Sequence, residues 1–164
     1  MCWVGLIHDK KIAKKDITVY KVLYRFGRKN KIYYAPFRDD YHYKMGYHYT
    51  IDKLGMKRDG MYAVINEGYH CYSLNAYANT QRDGKILNIY SSNNDRPCML
   101  HCYVGKLACK TIIFKCTIPK GSTYYINKKG EIVTDNLILD RDLGIPANIS
   151  PLRFREIHKN HLFK

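Results

Sequence analysis

Several sets of side chains in this sequence have the types and spacings that chemistry requires. His48-Tyr49-Thr50 is one half of the pattern that two-histidine phosphoesterases use twice, with one histidine as base and the other as acid. A second copy is missing, because His70-Cys71-Tyr72-Ser73 has the wrong spacing. Cys98, Cys102, Cys109 and Cys116, with His101 among them and His70-Cys71 upstream, are ligand types of a structural zinc, which takes four. Only Cys98 and Cys102 are close in sequence and no second close pair follows, so no metal is expected. Cys2 would become an N-terminal nucleophile with its own amine as base if Met1 were removed. Trp3, Val4, Leu6 and Ile7 around it read equally well as an edge strand anchoring the terminus.

Charge and aromatic content suggest a broader chemistry. The chain has 28 Lys and Arg against 14 Asp and Glu, a formal charge of +14 with histidines neutral. Such a surplus attracts phosphate whatever its sequence, and the attraction weakens with salt. Sixteen tyrosines, against five phenylalanines and one tryptophan, add rings on which bases can stack. Lys21, Arg25, Arg28, Tyr47, His48, His70 and Tyr72 combine phosphate-pairing or stacking groups with strand or loop positions, and they are the candidate contacts for an anionic partner, a nucleic acid or a nucleotide. The densest basic runs are Lys10/Lys11/Lys14/Lys15, Arg25/Arg28/Lys29/Lys31 and Arg153/Arg155/Lys159/Lys164. In the plainer reading, the lysines solubilise the surface and the tyrosines fill a small β-rich core.

The elements that would position these groups are mostly strands. Ile17 to Arg25 is rich in β-branched and aromatic residues, and a turn at Gly27–Lys31 leads to a hairpin partner, Ile32–Ala35, that stops at Pro36. Arg38 to Asp52, dominated by Tyr and His, reads as an irregular, partly exposed strand or loop outside the core. Met61–Ile65, Lys85–Tyr90 and Lys110–Ile118 read as strands. In the last of these, Ile112, Phe114, Cys116 and Ile118 share one face, which makes Cys116 a small buried hydrophobe. Ser122–Ile126 and Glu131–Leu139 form a hairpin about Asn127–Gly130. Ser73 caps a short expected helix bearing Leu74, Tyr77, Ala78 and Gln81, and Ser150-Pro151 opens a basic C-terminal helix. The expectation is one α+β domain over 1–164, built on mainly antiparallel sheet with a short central helix and a C-terminal helix.

Length and composition limit the classes. At 164 residues and 46% hydrophobic, the chain suits one packed domain and excludes disorder, collagen or coiled coil as its main state. No run approaches the roughly 18–20 apolar residues of a membrane span, and the first residues break into charge too soon for a secretory signal, so a cytoplasmic location with reduced thiols is expected.

Met1-Cys2-Trp3, Asp16 to Val22, Glu67 to Ser73 and Cys116 to Tyr125 together resemble a family of small uncharacterised proteins from gut bacteria and their phages. The resemblance covers most of the chain and implies no activity. The order of segments also resembles the ADP-ribosyltransferase fold, in which a strand bearing Tyr-Arg precedes a Ser-Thr-Ser strand, a strand ending in Pro-x-Gly and a glutamate. Here Lys21 stands at the arginine position, only Ser73 remains of Ser-Thr-Ser, Pro119 and Gly121 fit, and Glu131 or Asp135 is the acid. This resemblance implies NAD as cofactor and Lys21, Ser73 and Glu131 as catalytic residues, with phosphate grip weakened by lysine in place of arginine. The leading expectation remains a basic protein, not an enzyme, that binds an anionic partner without a cofactor. A structural protein, or one that meets an acidic protein partner, is the third reading.

Overall fold

A computed structural model describes residues 3–26, 32–35, 38–73 and 109–146. Their chain order is β1 (Trp3–Leu6), a single 3-10 turn (Ile7–Asp9), β2 (Lys10–Ile12), β3 (Ile17–Phe26), β4 (Ile32–Ala35), β5 (Arg38–Tyr43) and β6 (His48–Thr50). There follow β7 (Gly55–Asp59), β8 (Tyr62–Glu67), β9 (Tyr69–Tyr72), β10 (Cys109–Ile118), β11 (Thr123–Ile126), β12 (Glu131–Thr134) and β13 (Asn136–Pro146). The expected α+β class is therefore corrected to a mostly β fold, since no helix among the described residues reaches seven residues. The β-branched and aromatic content that the sequence reading set beside two helix-start signals dominates, because cross-strand burial rewards it along every ladder. The two expected helices, at 74–81 and from Ser150 onward, and the expected strand at 85–90 lie outside the described residues. No helix among the described residues is long and apolar enough to cross a membrane.

The strands form two antiparallel sheets. The larger runs β2-β11-β12-β9-β3-β10-β13-β6, with β4 joining β3 and β5 joining β4; the smaller runs β1-β8-β7. At its centre β10 pairs residue for residue with all of β3, from Cys109↔Phe26 to Ile118↔Ile17. This register aligns Ile17, Val19, Lys21 and Leu23 with Ile118, Cys116, Phe114 and Ile112 on one face, and Cys71, Ile132, Leu137 and Leu139 join them in the main core. Cys116 is buried there, as the alternation of its strand predicts.

That face is concave. β6 and β9 stand four strand positions apart, roughly 19 Å if the sheet were flat. Instead the Tyr49 and Tyr69 rings lie 6.0 Å apart and the Tyr69 hydroxyl donates to the Thr50 carbonyl at 3.2 Å. The large sheet thus curls toward a barrel around its own apolar side chains. Arg38 to Asp52 is corrected accordingly: it supplies β5 and β6, and Tyr43 is buried against Tyr49 with ring centroids 5.1 Å apart. Counting aliphatics alone misses this, since a tyrosine ring buries as much apolar area as leucine and keeps its hydroxyl for a partner.

The small sheet packs on the convex side, where Trp3, Ala63 and Ile65 meet Tyr125 and Val133. The Trp3 indole N–H donates to the Glu131 carbonyl at 2.8 Å and stands edge-on to Tyr125. The chain passes from β8 to β9 through Gly68, whose φ is +153° and where a Cβ would fall 2.6 Å from both Leu54 and Val133. Two further departures from the sequence reading concern charge. Lys10 to Ile12, at the start of the first dense basic run, is the edge strand β2. The expected strand Glu131–Leu139 breaks at Asp135, whose carboxylate accepts from the Thr123 N–H at 3.0 Å and turns the chain from β12 into β13.

Candidate functional site

Lys21 is the least ordinary of the residues singled out by type and spacing. β3 shares one edge between β9, which it meets only at Tyr20↔Tyr72, and β4, which it meets from Tyr24 onward. Lys21 sits at this fork, 6% exposed on the concave face. Its Nζ donates to the His70 carbonyl at 2.6 Å and lies 5.2 Å from the centre of the Tyr43 ring. No carboxylate among the described residues pairs with it, and burial pushes its pKa below the usual lysine value. Burial also pushes the thiol of Cys71 up to about 12 and that of Cys116 well above its ordinary value, so both stay protonated and unreactive. Lys21 therefore closes a gap in the sheet and carries no accessible reactive group.

A prediction follows for Lys21→Met. In the unfolded chain the amine titrates near its ordinary 10.5, and in the folded chain it titrates lower. Between the two values the unfolded state holds the extra proton, so stability rises with pH through that window. Urea midpoints of the native protein should climb as pH rises toward the ordinary lysine value of 10.5 and stay flat in Lys21→Met, with the lost hydrogen bond and the relieved burial cost leaving a net change within about 2 kcal/mol at pH 7. Equal slopes in both proteins would contradict it.

The other candidates divide between interior and surface. Arg25 forms an ion pair with Asp142 at 2.8 Å, and the Tyr33 hydroxyl donates to the same carboxylate at 3.3 Å. Tyr72 is buried, His70 has its Nε2 buried without a hydrogen-bond partner, and Arg28 lies outside the described residues. Glu131 stands opposite Tyr72 and so shares the convex face with Tyr20, one residue and one face away from Lys21. Ser73 follows β9, with its N–H donating to the Gly130 carbonyl at 3.0 Å. The structure thus sets Ser73 beside the start of β12 but turns Lys21 and Glu131 to opposite sides of the sheet. Cys98, His101 and Cys102 lie outside the described residues, among which no group of His, Cys, Asp and Glu could hold a metal.

Tyr47 and His48 remain at the surface, at an exposed corner that also carries Lys44. Gly46, at φ +77°, turns the chain from β5 into β6. This turn docks on β13 through two hydrogen bonds, from the Gly46 N–H to the Leu139 carbonyl at 2.7 Å and from the Leu139 N–H to the Tyr47 carbonyl at 3.1 Å. Tyr47 is 54% exposed, with Lys44 Nζ 5.5 Å from its ring centre. Exposed Arg141 lies two residues beyond Leu139 and opposite Lys115 of β10. Lys44 was not singled out from the sequence, because its place beside the Tyr47 ring depends on the turn at Gly46. Lys115 stands opposite Tyr20 as well as Arg141, which puts these two cations on the convex face. Comparisons with protein-family models, with curated proteins and with solved structures gave no match for this chain, so the functional argument rests on the fold and its side chains.

Proposed function

We propose that the protein binds an anionic partner, single-stranded nucleic acid, at the exposed corner that carries Lys44, Tyr47 and His48. The observation that carries this reading is the way the carboxylates are engaged inside the fold. Asp9, Asp16, Asp135 and Asp142 accept from the backbone N–H groups of Leu6, Lys120, Thr123 and Gly144. Asp140 accepts from Thr117, and Glu131 from Asn127. Arg25–Asp142 is the only ion pair among the described residues, and these six carboxylates leave the surface lysines uncompensated. Beside such a field, an exposed tyrosine offers a stacking surface that tolerates any base.

The test is fluorescence anisotropy with a labelled oligothymidylate. Affinity should fall with a log–log salt slope of about −0.7 per phosphate contact, measurable between about 25 and 150 mM salt. Tyr47→Ala should weaken binding roughly 5- to 100-fold, as expected for one lost base stack, while Tyr47→Phe should not. No binding at low salt, or full binding by Tyr47→Ala, would overturn the reading.

A further inference from the structure

The strand β2 closes one end of the large sheet, and among the described residues its outer edge has no partner strand. The Ala13 N–H donates to the Ser122 carbonyl at 2.9 Å and the Gly121 N–H donates to the Ala13 carbonyl at 2.7 Å, so the main chain of Ala13 faces inward, toward the β11 side. Polar groups alternate along a strand, and those of Ile12, its neighbour, therefore face outward. Ile12 is 54% exposed, and no strand among the described residues pairs with this edge. Lys10, Lys11, Lys14 and Lys15 are all exposed along it. Lys120 adds to the row, because its N–H donates to Asp16 at 2.8 Å and holds its turn against the same segment.

We propose that this edge takes up an extended acidic segment of a partner protein as an additional antiparallel strand. Backbone hydrogen bonds to Ile12 would fix the register, a β-branched residue would lie against the Ile12 side chain, and carboxylates would lie opposite the lysines. The charge pattern selects this occupant. A second copy of the chain paired about Ile12 would set each Lys10 opposite a Lys14, a like-charge arrangement that disfavours self-association. A nucleic acid would satisfy the lysines but has no strand backbone to offer the amide and carbonyl of Ile12.

The probe is a fluorescein-labelled peptide, acetyl-Glu-Glu-Thr-Val-Glu-Glu-amide, designed so that its valine opposes Ile12. It is titrated with the full-length protein up to about 1 mM at low salt. The control is the same peptide with an N-methylated valine, which keeps every charge and removes the one donor aimed at the Ile12 carbonyl. The parent peptide should bind, the N-methyl peptide about tenfold or more weakly, and Lys11→Glu should lose the parent peptide while Tyr47→Ala retains it. Equal binding of the two peptides would reduce the edge to charge attraction and overturn the proposal, as would absence of binding or indifference to Lys11→Glu. Displacement of the parent peptide by oligothymidylate with no difference between the two peptides would assign the lysines to nucleic acid and overturn it too. Because the surface and the probe differ from those of the Tyr47 corner, the failure of either reading leaves the other standing.

Discussion

Phe114→Ala should cost about 3–5 kcal/mol, a loss comparable to the whole stability of a marginal domain. Phe114 is fully buried at the middle of β10, the strand that pairs β3 on one side and β13 on the other. Its ring stands edge-on to Tyr33 at 4.7 Å between centroids, a geometry that adds to simple burial. Across the ladders it opposes Lys21 and Asp142, the buried amine and the buried end of the Arg25 ion pair. An alanine there would leave a cavity lined by strands that pair along their length and cannot collapse inward cheaply. The variant should therefore unfold at a much lower urea concentration, and Phe114→Leu, which keeps most of the volume, should lose less than half as much. A loss below about 1 kcal/mol for Phe114→Ala would mean that the concave face is not the core.

The strand pattern around Phe114 was legible in the sequence because it depends on local alternation. Ile112, Phe114, Cys116 and Ile118 were assigned to one face, and β3, β4, β8 and β11 fall where β-branched and aromatic runs placed them. The curl of the sheet was not legible. It depends on Tyr49 meeting Tyr69 across strands that no local pattern relates, and Tyr43 and Tyr49 looked like surface residues until the turn at Gly46 docked on Leu139. The α+β expectation failed because a serine cap or a Ser-Pro pair marks where a helix can begin, while long-range pairing decides whether the chain is mostly sheet. Site residues fared unevenly for the same reason. Alternation puts Lys21 and Tyr20 on opposite faces in any register, but whether each face is buried is a property of the assembled sheet. Tyr47 and His48 stayed exposed because they flank a tight turn, across which Lys44 reaches the Tyr47 ring.

Acid should destabilise the protein well before its carboxylates protonate, and His70 is the reason. Burial first, and the nearby Lys21 second, press the His70 pKa down to about 3, against an ordinary 6.5 in the unfolded chain. Between those values the unfolded state binds a proton that the folded state refuses, so the His70 contribution to stability is constant above pH 6.5 and falls as pH drops through the window. The full difference is on the order of 4–5 kcal/mol at pH 3, of which about 2 kcal/mol is lost by pH 5, where few aspartates or glutamates have begun to titrate. The geometry agrees with the direction: the Nε2 atom is buried without a hydrogen-bond partner, and the carbonyl of the same residue is already occupied by the Lys21 amine. A charged imidazole would find neither solvent nor an acceptor at that nitrogen. In His70→Phe, which keeps a ring and loses the titration, the urea midpoint should hold nearly level from pH 7 to about pH 5 while that of the native protein falls. The variant should also be no less stable than the native protein at pH 7, because it removes a buried polar atom that nothing satisfies. Parallel acid curves for the two proteins would show that His70 takes up its proton in the folded state, and the loss would then belong to the carboxylates that cap Leu6, Thr123 and Gly144.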